Sequence, residues 1–416
     1  MKVLHIVAGN LSGGAARGAY WLHLAQRKLG IDSKLLTDTG VGVSSNAVVT
    51  FRRTPFERVK ILLLGRLEKL LIRIYQDRKP WIFNLGIVGS DFTKHPEYKA
   101  ADVIHLHWVN GFVATRTLRK IKKPIIWTMR DMWPLTGGCH YAIGCERYKV
   151  GCGSCPQLGS RRKWDISSLV VAHKRYSLPK HLQVVGISRW ISEIASESRV
   201  FENFSVQTIS NNIDTQLFTP IARDVARNVL GFPSKKKIIL VGALNINDFY
   251  KGFPLFVEAL QYLSTEELHV VTFGEDTGSV ISDHGISNTS LGFLADTISL
   301  RLAYSAADVF IAPSTMEAFG KTLVEAMACA TPVVCFDASG TKEIVEHQVT
   351  GYKARPFDAE HLATGIKWVL EQSEIKYSEL CDNARRRAVE NFDSIVAAGK
   401  YQELYKKMLV DEKNIK

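Results

Sequence analysis

Short apolar runs recur along the chain, at residues 2–8 (KVLHIVA), 33–37, 103–108 (VIHLHW), 125–129, 183–188, 206–209, 237–242 (KIILVG), 269–273, 309–312 and 332–336. Runs of roughly four to eight residues that stay apolar instead of alternating read as strands buried on both faces, as in parallel sheets covered by helices. Segments of helical period separate several of them. Over residues 15–29, Ala19, Leu22, Leu24, Ala25 and Leu29 suit a helix lying on a sheet, and residues 359–416 are helical in period. A second block of the same kind begins with the 237–242 strand, so the pattern predicts an α/β protein. Residues 51–78 differ. A strong Leu and Ile stripe there is mixed with Arg52, Arg53, Arg58, Lys60, Arg66, Lys69, Arg73 and Arg78. The expectation is an amphipathic helix whose stripe packs on the core, with a basic face in water that makes weak contact with an anionic membrane or lipid acceptor.

Candidate chemistry concentrates in residues 307–336. The strand 309–312 runs into a loop, a helix opens near Lys321, and a second strand follows, so a helix starts at the carboxyl end of a parallel strand. Glu317 and Glu325 sit on that loop and helix, with Phe319, Gly320 and Lys321 between them. Gly320 lets a ligand approach the backbone, and the amides opening the helix lack intrahelical partners and favour an anion. A diphosphate suits this place; the alternative is an ordinary strand-helix-strand unit with its acids in solvent. The loop 9–14 (GNLSGG) is a weaker phosphate-loop signal without the full glycine spacing, and a plain tight turn is its alternative. His105 and His107, two apart on one strand, share a sheet face, where a polar lining is expected ahead of metal ligation.

The run Glu317-Ala318-Phe319-Gly320, followed by Glu325-Ala326-Met327-Ala328 and Pro332-Val333-Val334, resembles the donor-site signature of retaining glycosyltransferases of family 4. The resemblance implies the GT-B fold: two Rossmann-like domains facing a cleft, with a C-terminal helix crossing back to the N-terminal domain. It places an acceptor domain at 1–215 with a Cys-rich insertion at 138–158, a donor domain at 216–391, and the returning helix at 392–416. In that family the first Glu faces the transferred sugar and the second binds ribose hydroxyls, roles that fall on Glu317 and Glu325. The catalytic set so implied is Glu317, His107 and Arg130, the last standing where many members carry a His; Trp108 and Asn110 join His107 in the cleft. The donor-binding set is Gly13, Gly14, Lys251, Phe319, Gly320, Lys321, Thr322 and Glu325, with Phe293 and Leu294 as candidates near the base. Departures from the family pattern are informative. Ala243 stands at the position of a phosphate-binding Arg. Asn212 replaces Gly in a turn resembling Asn-Gly-Ile-Asp, which a left-handed Asn would preserve. Ala318 and Ala330 replace frequent glycines, which is tolerable where the backbone has no need of positive φ.

The chain of 416 residues is long enough for two or three domains, and 46% hydrophobic with 23% charged residues is a globular balance. There is no signal-peptide pattern and no uncharged apolar run of about 18 residues, so a cytoplasmic address is expected, with peripheral contact at the inner membrane surface. The net charge of +12 fits acidic partners such as nucleotide diphosphates or anionic headgroups. No helix-turn-helix, zinc-finger or RNP signature supports nucleic acid. Four of seven cysteines, Cys139, Cys145, Cys152 and Cys155, lie within residues 138–158, and the last two form C-x2-C. Without a secretion signal this reads first as a structural zinc site, with reduced thiols and disulfides as alternatives. DMWPLTGGCHY and GCGSCPQL also resemble a colanic-acid and exopolysaccharide subgroup of family 4.

The function expected is transfer of a sugar, with retention, from a nucleotide-sugar to a glycan or lipid-linked acceptor in bacterial surface polysaccharide synthesis. No cofactor is needed for the chemistry itself. A nucleotide-sugar epimerase of the same fold and a non-catalytic saccharide-binding relative are the alternatives.

Overall fold

Two all-parallel sheets organise the chain. The computed structural model describes residues 1–11, 13–40, 46–264, 266–275 and 285–415. The first sheet contains β1 (Lys2–Val7), β2 (Asp32–Thr37), β3 (Val48–Thr50), β4 (Val103–Leu106), β5 (Ile125–Met129), β6 (Leu182–Gly186) and β7 (Val206–Thr208), in the order β3-β2-β1-β4-β5-β6-β7. The second contains β8 (Lys237–Asn245), β9 (Leu268–Glu275), β10 (Ser287–Ser290), β11 (Val309–Ala312), β12 (Val333–Phe336) and β13 (Gly351–Ala354), in the order β10-β9-β8-β11-β12-β13. Central strands such as β4, β5, β11 and β12 are buried at every position, which is why they read as unbroken apolar runs.

Contacts divide the chain into unit 1, Met1–Ser210 with Ala397–Lys416, and unit 2, Asn211–Val396. The boundaries differ by five residues from those expected at 215 and 391. The reason is a local pairing: Ile213 bridges Asp393, with the Ile213 amide donating to Phe392 O at 3.0 Å and the Ser394 amide to Ile213 O at 2.8 Å, so residues 211–215 are held within unit 2. Asn212 takes no left-handed conformation there, contrary to expectation. It is 2% exposed and its Nδ2 donates to Ser394 Oγ at 3.1 Å, so its amide side chain, not its backbone freedom, is what the turn uses.

The Ser394–Ile415 helix returns to unit 1 as expected, where Ala397, Ala398, Tyr401, Leu404 and Tyr405 pack against Val3, Leu22, Ala25, Ile126 and Val185. The unit 2 core gathers Ile239, Val241, Phe256, Val270, Val309, Ile311, Val334 and Ile366 around the strands of the second sheet.

The basic amphipathic segment forms the Pro55–Arg73 helix, started by a capping box between Thr54 and Glu57. Its stripe does not pack on the core, which corrects the expectation. Phe56, Val59, Leu63, Leu67, Leu70 and Ile74, at helical spacing, are all exposed, Phe56 at 77% and Leu70 at 62%. The opposite side, with the buried Glu68 and the half-buried Ile61, Leu64 and Leu71, faces the protein. The helix therefore has apolar residues on both sides, and periodicity alone does not choose between them.

Candidate functional site

In a doubly wound parallel sheet, a ligand crevice opens at the carboxyl ends of the two strands where the strand order reverses. In unit 2 those strands are β8 and β11. The loop after β8 leads to the short turn Phe249–Lys251, and β11 leads to Pro313, Ser314 and Glu317. The two are clamped together. The Thr315 amide donates to Tyr250 O at 2.8 Å, and Gly252, at φ +66°, lies so close that an added Cβ would stand 1.9 Å from Pro313 O. Only glycine permits that approach.

The clamp delivers Lys251 to Glu317. The Lys251 Nζ donates to Glu317 Oε1, Ser314 Oγ donates to the same oxygen at 3.3 Å, and the two ionic side chains are 20% and 14% exposed. The Glu317 backbone is fixed from both sides, its amide donating to Ser339 Oγ at 3.0 Å and its carbonyl accepting from the Gly340 amide at 2.9 Å. Lys251, Ser314, Glu317 and Thr322 line one recess with Ala243. Beside it the Lys321–Ala328 helix begins after Gly320, at φ +105° and with no side-chain cap, so its opening amides add a positive end to the recess.

Other expected residues take different places. Glu325 is 2% exposed and is held by Tyr304 OH at 3.0 Å and by Lys321 Nζ at 3.4 Å. Phe319 packs edge-on against Phe392 at a centroid distance of 5.5 Å, in the unit 2 interior. Phe293 is 52% exposed and so is not part of the core. Ala243 was expected in the loop after a 237–242 strand, but β8 runs on to Asn245, so Ala243 is a strand residue, 6% exposed. Ala330 has φ +60°, so the backbone there does take the conformation that glycine prefers. Ser314, Ser339, Gly340 and Tyr304 were not picked out from the sequence; nothing but proximity in the fold marks them.

In unit 1 the order reverses between β1 and β4. Beyond β1 come Gly13, without a side-chain cap bond, and Gly14, which opens the Gly14–Lys28 helix; no atom lies within 4 Å of a Cβ built at either position. Beyond β4 come His107, Trp108 and Asn110, and beyond β5 comes Arg130. His107 and Arg130 meet inside the unit. Arg130 can only donate, so its Nη2 contact at 3.3 Å makes His107 Nδ1 an acceptor. Burial, then the charges of His105, Arg130 and His5, lower the His107 pKa well below its usual value, so the ring is neutral and its Nε2–H donates to His5 Nδ1 at 2.9 Å.

The polarity then propagates. His5 Nε2–H donates to Gln26 Oε1 at 2.8 Å, Gln26 Nε2 to Tyr405 OH at 2.8 Å, Tyr405 OH to His105 Nδ1 at 2.7 Å, and His105 Nε2–H to Thr128 Oγ1 at 2.7 Å. The ligand atoms of His5, His105 and His107 lie within 4.8 Å of one another, yet both nitrogens of each ring are engaged, which leaves no lone pair for a metal. Burial lowers the Arg130 pKa to about 10, so it stays cationic. Asp131, next in the chain, accepts from Trp108 Nε1 at 2.9 Å and pairs with His140 at 2.6 Å, another contact absent from the sequence reading.

Residues 222–388 match the family model of glycosyl transferases group 1. The matched segment lies inside unit 2. It contains the whole Lys251–Glu317 recess. Over longer stretches the chain is 27% identical to D-inositol 3-phosphate glycosyltransferase of Mycolicibacterium smegmatis, across 70% of this chain and 64% of that protein. It is also 27% identical to the putative colanic acid biosynthesis glycosyl transferase WcaC of Escherichia coli, across 83% of this chain and 85% of that one. Among solved structures, Anabaena Alr3699/HepE in complex with UDP and glucose superposes with a TM-score of 0.66 at 20% identity, covering 98% of this chain and 100% of that one. Two parallel α/β sheets and a terminal helix that returns to the first unit give the chain the GT-B fold of its structural neighbours.

Proposed function

We propose that the protein is a retaining glycosyltransferase that moves a sugar from a nucleotide-sugar to a glycan or lipid-linked acceptor in surface polysaccharide synthesis. The observation that carries this reading is the Lys251–Glu317 pair at the β8/β11 reversal, beside the open start of the Lys321–Ala328 helix. Lys251 and the helix amides neutralise the diphosphate, so no metal is called on for the leaving group. As phosphate takes over Lys251, the Glu317 carboxylate is released toward the sugar and stabilises its oxocarbenium-like state, while the leaving phosphate helps deprotonate the acceptor. Within unit 1, His107 orients the Arg130 guanidinium through their 3.3 Å contact. One Glu325 oxygen turns from Lys321 to the ribose hydroxyls, and exposed Phe293 stacks on the base. The likeness to WcaC supports a polysaccharide setting, and HepE, solved with UDP and glucose, puts UDP-sugars first among donors to try.

The lipid-linked acceptor is met at a membrane. The exposed stripe of the Pro55–Arg73 helix, flanked by the exposed Arg58, Lys60, Arg66, Lys69 and Arg73, is matched to an anionic bilayer surface, where apolar side chains enter the headgroup boundary and cations meet lipid charge.

A panel of nucleotide-sugars incubated with the protein tests the donor half. Slow release of nucleotide and free sugar, accelerated by acceptor lipid, is expected. Isomerised sugar would instead identify an epimerase, and turnover of no donor would leave a saccharide-binding protein.

A further inference from the structure

Cys139, Cys145, Cys152 and Cys155 line a single cavity of about 20 Å³ in unit 1. All four are unbridged thiols. A space of that size holds one water-sized particle or one metal ion. The backbone beside it is bent sharply: Gly151, Cys152, Gly153 and Ser154 have φ of 100°, 63°, 84° and 43°. Two non-glycine residues in the left-handed region cost roughly 1–2 kcal/mol each, so something must hold the turn.

Charge points the same way. Lys174 is 1% exposed, and its Nζ donates to the neutral carbonyls of Trp133 and Thr136, the latter at 2.8 Å. Arg147 also lines the cavity and donates to Gly153 O. Four thiolates around a divalent ion would carry a net double negative charge, complementary to basic side chains beside the cavity.

We propose that Cys139, Cys145, Cys152 and Cys155 together bind one zinc ion as a closed structural site. The donor set selects the metal, because four soft thiolates in a tetrahedron with no open position suit zinc. On binding, four S–H bonds break, the four protons leave to solvent, and four Zn–S bonds of about 2.3 Å form without electron transfer. Among the described residues only His5, His105 and His107 already bring three ligand atoms within 4.8 Å of one another. The thiols therefore swing inward from their metal-free positions by rotation about Cα–Cβ bonds. The ion would staple two anchored points. Cys139 bridges Phe83, and the Cys155 amide donates at 2.8 Å to Asp165, the cap of the Ile166–Ser177 helix.

The test is metal analysis and thiol titration of the full chain purified without chelator. About one equivalent of zinc per chain is expected, with the four thiols of the segment unreactive until zinc is removed. Less than about half an equivalent together with four freely titrating thiols overturns the site, as does iron in its place or a disulfide detected by mass. Because Cys155→Ser can fail to fold, cobalt substitution of the unmutated chain provides a second readout. Thiolate-to-cobalt charge-transfer absorption is expected there and in Cys329→Ser, and its absence from the unmutated chain also overturns the site.

Discussion

Lys251 and Glu317 are 66 residues apart in sequence and form one ion pair at the strand reversal of unit 2. Each is placed by backbone rather than by its own side chain. Gly252 presses the Lys251 turn onto Pro313, and Ser339 with Gly340 holds the peptide of Glu317. In the proposed reaction the cation serves the leaving diphosphate and the carboxylate serves the sugar, so the two substitutions should have separable kinetic signatures.

Lys251→Ala and Glu317→Ala are each expected to lower donor turnover by roughly tenfold or more. Loss of the cation should fall mainly on donor affinity, and loss of the carboxylate mainly on kcat. Initial rates of nucleotide release across donor concentrations separate the two, and unchanged kinetics in both variants would refute the site.

Ala330→Gly should stabilise the protein. At φ +60° this residue closes the Lys321–Ala328 helix, its amide donating to Met327 O at 2.9 Å and that of Thr331 to Ala326 O at 3.0 Å. An alanine held left-handed there costs about 1 kcal/mol that glycine would not. A rise of that order in unfolding free energy, read from the denaturant midpoint, is expected; an unchanged or lowered midpoint counts against the strain.

Acid should weaken unit 1 before carboxylates titrate. Burial first, opposed by the Gln26 hydrogen bond and aided by the charge of Arg130, lowers the His5 pKa to about 4. Burial, with the charges of His5 and Arg27, lowers that of His23 to about 3. Folded pKa values below an unfolded value near 6.5 mean that the unfolded chain takes up protons first. The stability is therefore complete above about pH 6.5 and declines as pH falls toward 4, by on the order of 2 kcal/mol for His5 at pH 5. Thermal unfolding at about pH 7.5 and 5 checks this, and equal midpoints would contradict it.

The Pro55–Arg73 helix should bring the protein to anionic vesicles. Cosedimentation is expected to weaken with salt and to drop by about tenfold or more in a Leu63→Gln, Leu70→Gln double variant, since each exposed leucine has on the order of 1.5 kcal/mol or more to gain from burial. Turnover of a soluble donor should be unaffected. Equal binding to neutral and anionic vesicles would remove the basic residues from the explanation.

Strands buried on both faces were legible from sequence because their apolar runs need no partner to be recognised. The 309–312 run became β11 and the 237–242 run became most of β8. β10, reading Ser-Asn-Thr-Ser, was not legible. It is held at the sheet edge by ladder bonds to β9 and by His269, which contacts Ser287 at 2.7 Å and Thr289 at 3.0 Å, and neither leaves an apolar signature. The acids Glu317 and Glu325 and the cation Lys251 could be named from pattern and resemblance. That Glu317 opens onto a recess while Glu325 is enclosed by Tyr304 and Lys321 could not be.

By itself, the sequence determined the alternation of strand and helix, the two blocks, and the residue types that chemistry would need, because burial selects apolar side chains locally. Tertiary structure alone decided which charges meet, which side of the Pro55–Arg73 helix stays in solvent, and how Arg130, His107, His5, Gln26, Tyr405 and His105 share one directional run of hydrogen bonds. Those outcomes depend on distances between residues far apart in the chain, and on each polar group finding its partner only after the sheets have formed.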